Sequence, residues 1–571
     1  VNHSNAETWS RVAETAILSL VFLSPLAVHG STWDPAALRT ALVQAAALTL
    51  AAVWILKGLT RGRWEAASGS WTTLLPALAL AAWSLTRFAV APFKAAALPG
   101  LCSTLTALVL FAIAMLELGG ARHAARLAFW TTAAAACAAG VGVLPRLGIS
   151  GVPVLSPDQL AAFAAAALPV TLALRLDPEA TPARRLFSAA TAAALATTAA
   201  WSGSASGLAF FVLSAVIFAG AAITLLRGPE ARRDAALALG CAALAVAAFA
   251  VKPGFSSLGP LVFDVGGLRA FAGSGRVAAV LVAWLIVAAA ARGFGAAWDL
   301  RRRGALAEAG YAAGLFAAFA AWSMSAAAGL TPTSGPAAWL AWTAAGVAAG
   351  LSPLSRPHGI VRVMPLPFGE DVRRLMQGPV LMLFAALALG PGLWLVSDVN
   401  YNRAVAESRA GAQEPALADA GRVWPGAAVY PSALYLRGRV LMDQGKPAEA
   451  LAAYARLDDV APDLSRLHAR KAEAYAALGD WSNSSLEHRR QDALTPLDVP
   501  NLTAWAEAAR AAGDLTAARS AAARADELAP DDEAVKTQLA ANALMERKLA
   551  AKDGALRRGG RKGLALKPKT R

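Results

Sequence analysis

Cysteine, histidine and charge are the scarce ingredients of this chain. It has three cysteines and six histidines in 571 residues. Cys102, Cys137 and Cys241 all fall inside apolar stretches, which suits small buried side chains and not a disulfide framework or a thiolate metal site. They leave the redox compartment open, and no metal or other cofactor is expected. Charged residues make up only 16% of the chain against 57% hydrophobic ones, the balance of a large membrane part with one soluble domain attached. Acids are scarcer than bases, giving a net charge of +15. That excess sits in short loops and in the last stretch of the chain. No basic face interleaved with aromatics accompanies it, so nucleic acid is not an expected partner.

What is abundant is long apolar sequence. From Val12 to Val396 the chain is a succession of about thirteen apolar runs, each long enough to span a bilayer, which takes roughly 20 residues. Leu98 to Leu116, Leu208 to Leu226 and Val277 to Ala291 contain no charge at all. The connections alternate. Lys57, Arg61 and Arg63 follow the second run, Arg122 and Arg126 the fourth, Arg175, Arg184 and Arg185 the sixth, and Arg227, Arg232 and Arg233 the eighth. Arg301 to Arg303 and then Arg356, Arg362, Arg373 and Arg374 continue the series, whereas the odd connections hold little positive charge. The positive-inside bias therefore predicts cytoplasmic even loops and, after an odd number of spans, an extracytoplasmic C-terminal part. The first run, preceded by Arg11, has features of a signal peptide. The alternation works only if it is counted as a span.

Past Ser397 the sequence acquires a beat. Gly411, Gly445, Gly479 and Gly513 stand 34 residues apart, as do Pro462, Pro496 and Pro530, and as do Ala416, Ala450, Ser484 and Ala518. This period is that of the tetratricopeptide repeat (TPR), a helix-turn-helix unit with Gly at the turn, a small residue where the helices approach and Pro after the second helix. Four copies are expected, the first degenerate, then a capping helix from Asp532 to Leu549. The fold class is thus all-α: a transmembrane helix bundle at 1–396, a TPR solenoid at 397–550 and a basic disordered tail at 551–571. Such a solenoid offers a face for a protein or peptide partner, with Tyr435, Tyr475, Trp481 and Trp505 as packing residues or contacts. The tail suits solvent or an anionic lipid surface.

The membrane part resembles a known family. P-D-Q-L-A-A-F at 157–163 followed by A-L-P-V, T-T-A-A-W-S-G-S-A-S-G-L-A at 197–209, D-P-A-A-L-R at 34–39 and W-S-L-T-R at 83–87 are similar to stretches of the bacterial O-antigen ligase and polymerase family. An attached TPR array is a frequent companion of that family. The resemblance implies an inner-membrane glycosyltransferase of lipopolysaccharide biosynthesis. Such an enzyme takes a glycan from a polyprenyl diphosphate at its extracytoplasmic face and passes it to an acceptor, without a metal. Outward-facing arginines would neutralise the leaving diphosphate through bidentate hydrogen bonds.

Carried onto this sequence, the resemblance makes Arg269 and Arg276 the expected catalytic cations and Asp264 the expected base, with Arg39, Arg87, Lys94 and Lys252 binding substrate. Asp34 and Asp158 are further outward carboxylates. The sequence also departs from the family: Ala205 follows Ser204 where the pattern has Arg, Gly266 and Gly267 hold the His-Asn positions, and Gly273 stands in place of Glu. Two functions follow. One is a glycan ligase or polymerase, either active or one that has kept the fold and lost the reaction. The other is a non-catalytic membrane scaffold that displays its repeats to an envelope or secretion assembly.

Overall fold

The computed structural model describes residues 2–27, 30–67, 70–91, 93–144, 155–250, 276–328, 335–352 and 361–562. The chain is all-α and divides into two compact units, Val1–Val399 and Asn400–Arg571. In the first unit the described helices are α1 (Asn2–Leu23), α2 (Ala37–Arg61), α3 (Trp71–Val90), α4 (Lys94–Glu117), α5 (Ala121–Val143), α6 (Pro157–Ala173) and α7 (Pro182–Ser202). They continue with α8 (Ala205–Ala221, extended by a π-helical turn to Leu226), α9 (Pro229–Ala250), α10 (Arg276–Arg302), α11 (Leu306–Ala327), α12 (Pro336–Gly350) and α13 (Glu370–Arg409). One helix corresponds to each apolar run. By length and composition, α2, α3, α4, α5, α8 with its π turn, α9, α10 and α13 are able to cross a membrane.

The interior of the bundle belongs to helices below that threshold. Every residue of α6 from Leu160 to Ala173 is buried, and so is every residue of α12. A helix that is apolar on all sides is either enclosed by protein or faces lipid, and these two are enclosed. Alanine and glycine then allow close approach, the usual basis of helix packing where no water is released. Gly346 and Gly350 of α12 lie against α4, where a Cβ on Gly346 would come within 2.4 Å of the Phe111 carbonyl oxygen. Gly314 of α11 lies in the same way against α6, with the Pro169 carbonyl oxygen 2.7 Å from an added Cβ, and Gly310 meets Leu176 just past the end of α6. Both pairs have the four-residue spacing of one helix face.

Charge collects at one end of the bundle, at the last turns of even helices and the early turns of odd ones. Lys57 pairs with Glu117, Arg126 with Glu14 at 2.8 Å, and Arg175 with Asp234 at 2.6 Å. At the same end, a two-stranded antiparallel ribbon joins two connections that are far apart in sequence. Strand β1 (Arg63–Ala67) follows α2 and β2 (Val361–Pro365) precedes α13, with Arg63 opposite Pro365 and Ala67 opposite Val361. Two basic, even-numbered connections therefore share one side, as the alternation of charge requires. Near the opposite end of α13, the Asp34 backbone N–H donates to Asp398 Oδ2 at 3.0 Å.

The second unit begins within α13 and continues with α14 (Gln413–Gly421), α15 (Tyr430–Asp443), α16 (Pro447–Val460), α17 (Leu467–Ala477), α18 (Trp481–Leu494), α19 (Val499–Ala511), α20 (Leu515–Leu528) and α21 (Glu533–Lys562). The turns fall where the repeat period sets them. Gly411, Gly445, Gly479 and Gly513 all take a left-handed backbone, with φ of 79, 71, 76 and 86°. Glycine adopts this conformation without the Cβ penalty. Ala416, Ala450, Ser484 and Ala518 are each 0% exposed, since each stands where paired helices meet. Asp480 and Asp514 then cap α18 and α20 by accepting from backbone N–H groups. The last helix, α21, runs past the Leu549 expected for the cap, so the first residues assigned to the basic tail continue the helix.

Candidate functional site

The end of the bundle opposite the ion pairs holds one buried cation. Arg39 lies in the first turn of α2 and is 2% exposed. Its Nη2 donates to Gln159 Oε1 in the first turn of α6, while its Nη1 is buried without a hydrogen-bond partner. The start of α8 joins this place. Ser204 Oγ accepts from the Gly207 N–H at 2.9 Å and lies 3.2 Å from Ser206 Oγ. Gly207 in turn sits so close to α6 that an added Cβ would be 2.4 Å from the Cβ of Ala161. The positive N-terminal ends of α2 and α6 thus meet at a guanidinium with donor capacity to spare, and the start of α8 packs against the first turns of α6. Such an arrangement favours an anion.

The two segments that carry the family resemblance, at 157–172 and 197–209, therefore meet in space. Their local sequence is also explained by helix capping. Gly203 ends α7 in a left-handed conformation with φ 76°, and Ser204 caps α8. Ser156 does the same for α6 by accepting from the Gln159 N–H. Gln159 was not among the expected site residues; its signal in the sequence is only a polar side chain beside Asp158 at the head of an otherwise apolar helix.

The other expected residues take separate places. Lys94 donates to the carbonyl oxygens of Phe88 and Ala89, and its ammonium lies 5.5 Å from the Phe88 ring centre, so it closes the C-terminal end of α3. Arg87 is exposed in the last turn of that helix. Asp34 accepts from the Ala36 N–H at 2.8 Å, the work of a helix-entry residue, and Asp158 is exposed in the first turn of α6. Arg276 is the first residue of α10. Lys252, Asp264 and Arg269 lie outside the described residues. Arg39 is thus joined to Gln159 and not to Arg87 or Lys94.

The repeat unit presents a second candidate, a polar face along the first helices of its hairpins. Tyr401 and Tyr435 are one repeat apart. Tyr435 Oη accepts from Arg470 Nε at 3.3 Å, and Arg470 Nη1 reaches Glu473 at 2.6 Å. The bond to Tyr435 is the main reason the Arg470 guanidinium is held above its ordinary value. Arg439 Nη2 donates to Ser408 Oγ at 3.2 Å. Of the residues singled out for packing, Trp505 is 8% exposed, with its indole N–H donating to Ser485 Oγ at 3.2 Å, so it belongs to the core of the last hairpin.

No family model matches the chain, and no curated protein matches it. Among solved structures it is similar to TTC0263, a thermophilic TPR protein of Thermus thermophilus, at 20% identity over 30% of this chain and 94% of that one, with a TM-score of 0.22. It is also similar to the APC/C hetero-tetramer Cut9–Hcn1, at 12% identity over 88% of this chain and 93% of that one, with a TM-score of 0.25.

Proposed function

We propose that this chain is a membrane-held scaffold whose TPR unit binds a protein segment. The observation that carries the reading is the repeat geometry itself: left-handed glycines at 411, 445, 479 and 513 join the helices into hairpins that present Tyr435, Arg439 and Arg470 along one set of helices. Stacked repeats of this kind gain a continuous binding face from helices that could not be stable singly. In this reading thirteen spans anchor the chain in the bacterial inner membrane, and the repeats are extracytoplasmic. A reporter fused after Val396 should then behave as exported. A photo-crosslinking residue at Tyr435 or Thr503 should capture one defined partner, and the same residue at Arg489, exposed on α18, should not. Capture independent of position would overturn the reading.

One observation favours a second reading, transfer of a polyprenyl-diphosphate-linked glycan. Arg39 keeps a buried Nη1 without a hydrogen-bond partner where the N-terminal ends of α2 and α6 meet. A diphosphate oxygen there would satisfy a donor that is otherwise costly to bury. In that role Arg39→Ala should lower transfer by roughly ten- to hundredfold, the rate equivalent of a charge-assisted bond of ~1.5–3 kcal/mol. Transfer from a polyprenyl-linked donor, compared between wild type and Arg39→Ala in reconstituted membranes, is the measurement. Equal transfer in both would remove Arg39 from the reaction.

A further inference from the structure

The repeat face has a charge polarity that follows its period. At the register of residues 405, 439, 473 and 507 the four repeats carry Val, Arg, Glu and Glu, and at that of 401, 435, 469 and 503 they carry Tyr, Tyr, Ala and Thr. The second repeat therefore carries Tyr435 and Arg439, and the third and fourth place Glu473 and Glu507 in line with Arg439, while Arg409 of the first repeat lies off that register, where the second repeat has Asp443.

Contacts support a shared surface. Tyr401 hydrogen-bonds Ser432 and Arg439 Nη2 donates to Ser408 Oγ at 3.2 Å, next in sequence to Arg409, so these side chains join the first two repeats. Arg409, Glu473 and Glu507 are exposed. Arg470 stands at the boundary, held by Tyr435 on one side and Glu473 on the other. Asp443, one turn beyond Arg439, offsets part of the basic charge without filling the position in front of Tyr435.

We infer that this face binds an extended protein segment whose acidic residues seat on Arg409 and Arg439 beside Tyr435, and whose basic residues face Glu473 and Glu507. The inference rests on the scaffold reading above and adds the chemistry of the partner. Opposed charges at the two ends fix the direction of a bound segment, because the reverse orientation sets like charges against each other. The Tyr435 phenol supplies rigid, amphipathic area beside the arginines at little entropic cost.

The test uses the full chain in lipid nanodiscs to select from a random dodecapeptide library displayed on phage. The expected result is enrichment of peptides with acids gathered at one end and bases at the other. Arg409→Glu and the pair Arg409→Glu with Arg439→Glu should each weaken a selected peptide, the pair by about tenfold or more, with a smaller loss at high salt. Arg409 is exposed, so its single variant keeps the test valid if the pair fails to fold, and Arg489→Glu should leave binding unchanged. Enriched peptides without segregated charge, or binding indifferent to both variants, would overturn the inference while leaving the scaffold reading in place. No enrichment of any peptide would overturn both.

Discussion

The two units are built from equally alanine-rich helices, yet they put charge in opposite places. In the bundle the enclosed helices α6 and α12 hold no ionisable residue among their buried positions, and the partnered charges such as Arg175–Asp234 gather at helix ends. In the repeats, charge runs through the interior. His468, Lys471 and Glu487 are 8, 7 and 4% exposed, and Glu487 receives His468 at 2.7 Å, Arg490 at 2.8 Å and Lys471 at 3.2 Å. One repeat earlier the positions of His468 and Glu487 are Leu434 and Ala453; one repeat later they are Leu502 and Ala521. A single hairpin has thus replaced an apolar pair by a hydrogen-bonded polar one.

In the membrane-held reading proposed above, the difference reflects what each unit is surrounded by. Between helices in hydrocarbon there is little hydrophobic force, so fit between small side chains holds them together and a stray ion is expensive. In water, apolar burial supplies ample stability, and an internal ion pair adds discrimination between otherwise similar partners. Near-identical repeats need such discrimination, because an alanine interface in one repeat fits that of the next.

The comparison breaks first on glycine in the bundle. Gly346→Leu should have the largest effect, because a side chain there meets the Phe111 carbonyl oxygen, which belongs to a helix and cannot yield. Loss of the α4–α12 contact should appear as failure to recover a monodisperse protein from membranes, and normal recovery would refute close packing as the basis of the bundle. In the repeats, Glu487→Ala should lower stability by removing the partner of the buried His468, but by less than the ~3–5 kcal/mol of an orphaned buried charge, because Lys471 keeps Asp458 at 2.7 Å and Arg490 is exposed. The pair His468→Leu with Glu487→Ala recreates the arrangement of the neighbouring repeats and should recover most of that loss. Amide exchange across α17 and α18 measures both, and no recovery in the pair would mean that the seam is needed for more than charge balance.

Smaller effects sharpen the same contrast. Gly479→Ala should cost roughly 1–2 kcal/mol, the penalty for a left-handed backbone at a residue with a Cβ, visible as faster exchange in the α17–α18 hairpin alone. The smallest expectation concerns pH. Burial holds the His488 imidazole below its ordinary value of 6.5, against the raising effect of its bond to Asn501. The folded state therefore binds fewer protons than the unfolded one. Its contribution is complete above about pH 6.5 and declines as the pH falls from there through the lower folded value. His488→Gln, which keeps a donor for Asn501 and does not titrate, should flatten the acid-side loss of protection in α18 and α19. An unchanged profile would assign that loss to other groups.

Much of the architecture was legible before any coordinates. The period of 34 in glycine, proline and small residues fixed where the repeat helices turn, because only glycine takes those φ values cheaply and only a small side chain fits the crossing. The apolar runs fixed where the bundle helices lie. The resemblance-carrying stretches were visible too, although much of what they encode locally is capping, by Gly203, Ser204 and Ser156. Of the expected substrate residues, Lys94 turned out to close a helix end, and Arg39 to be buried and not at the surface.

What the sequence determined by itself is therefore periodic: which segments are helices, where they stop, and which loops share a side by charge. Only the tertiary structure decided who meets whom. Arg39 and Gln159 are 120 positions apart, Gly346 finds Phe111 across most of the bundle, and His468 finds Glu487 where its neighbours have Leu and Ala. Helix periodicity and capping act over a few residues and leave their mark in local spacing. A buried guanidinium or a close glycine contact depends on how whole helices stack, and no local spacing records that.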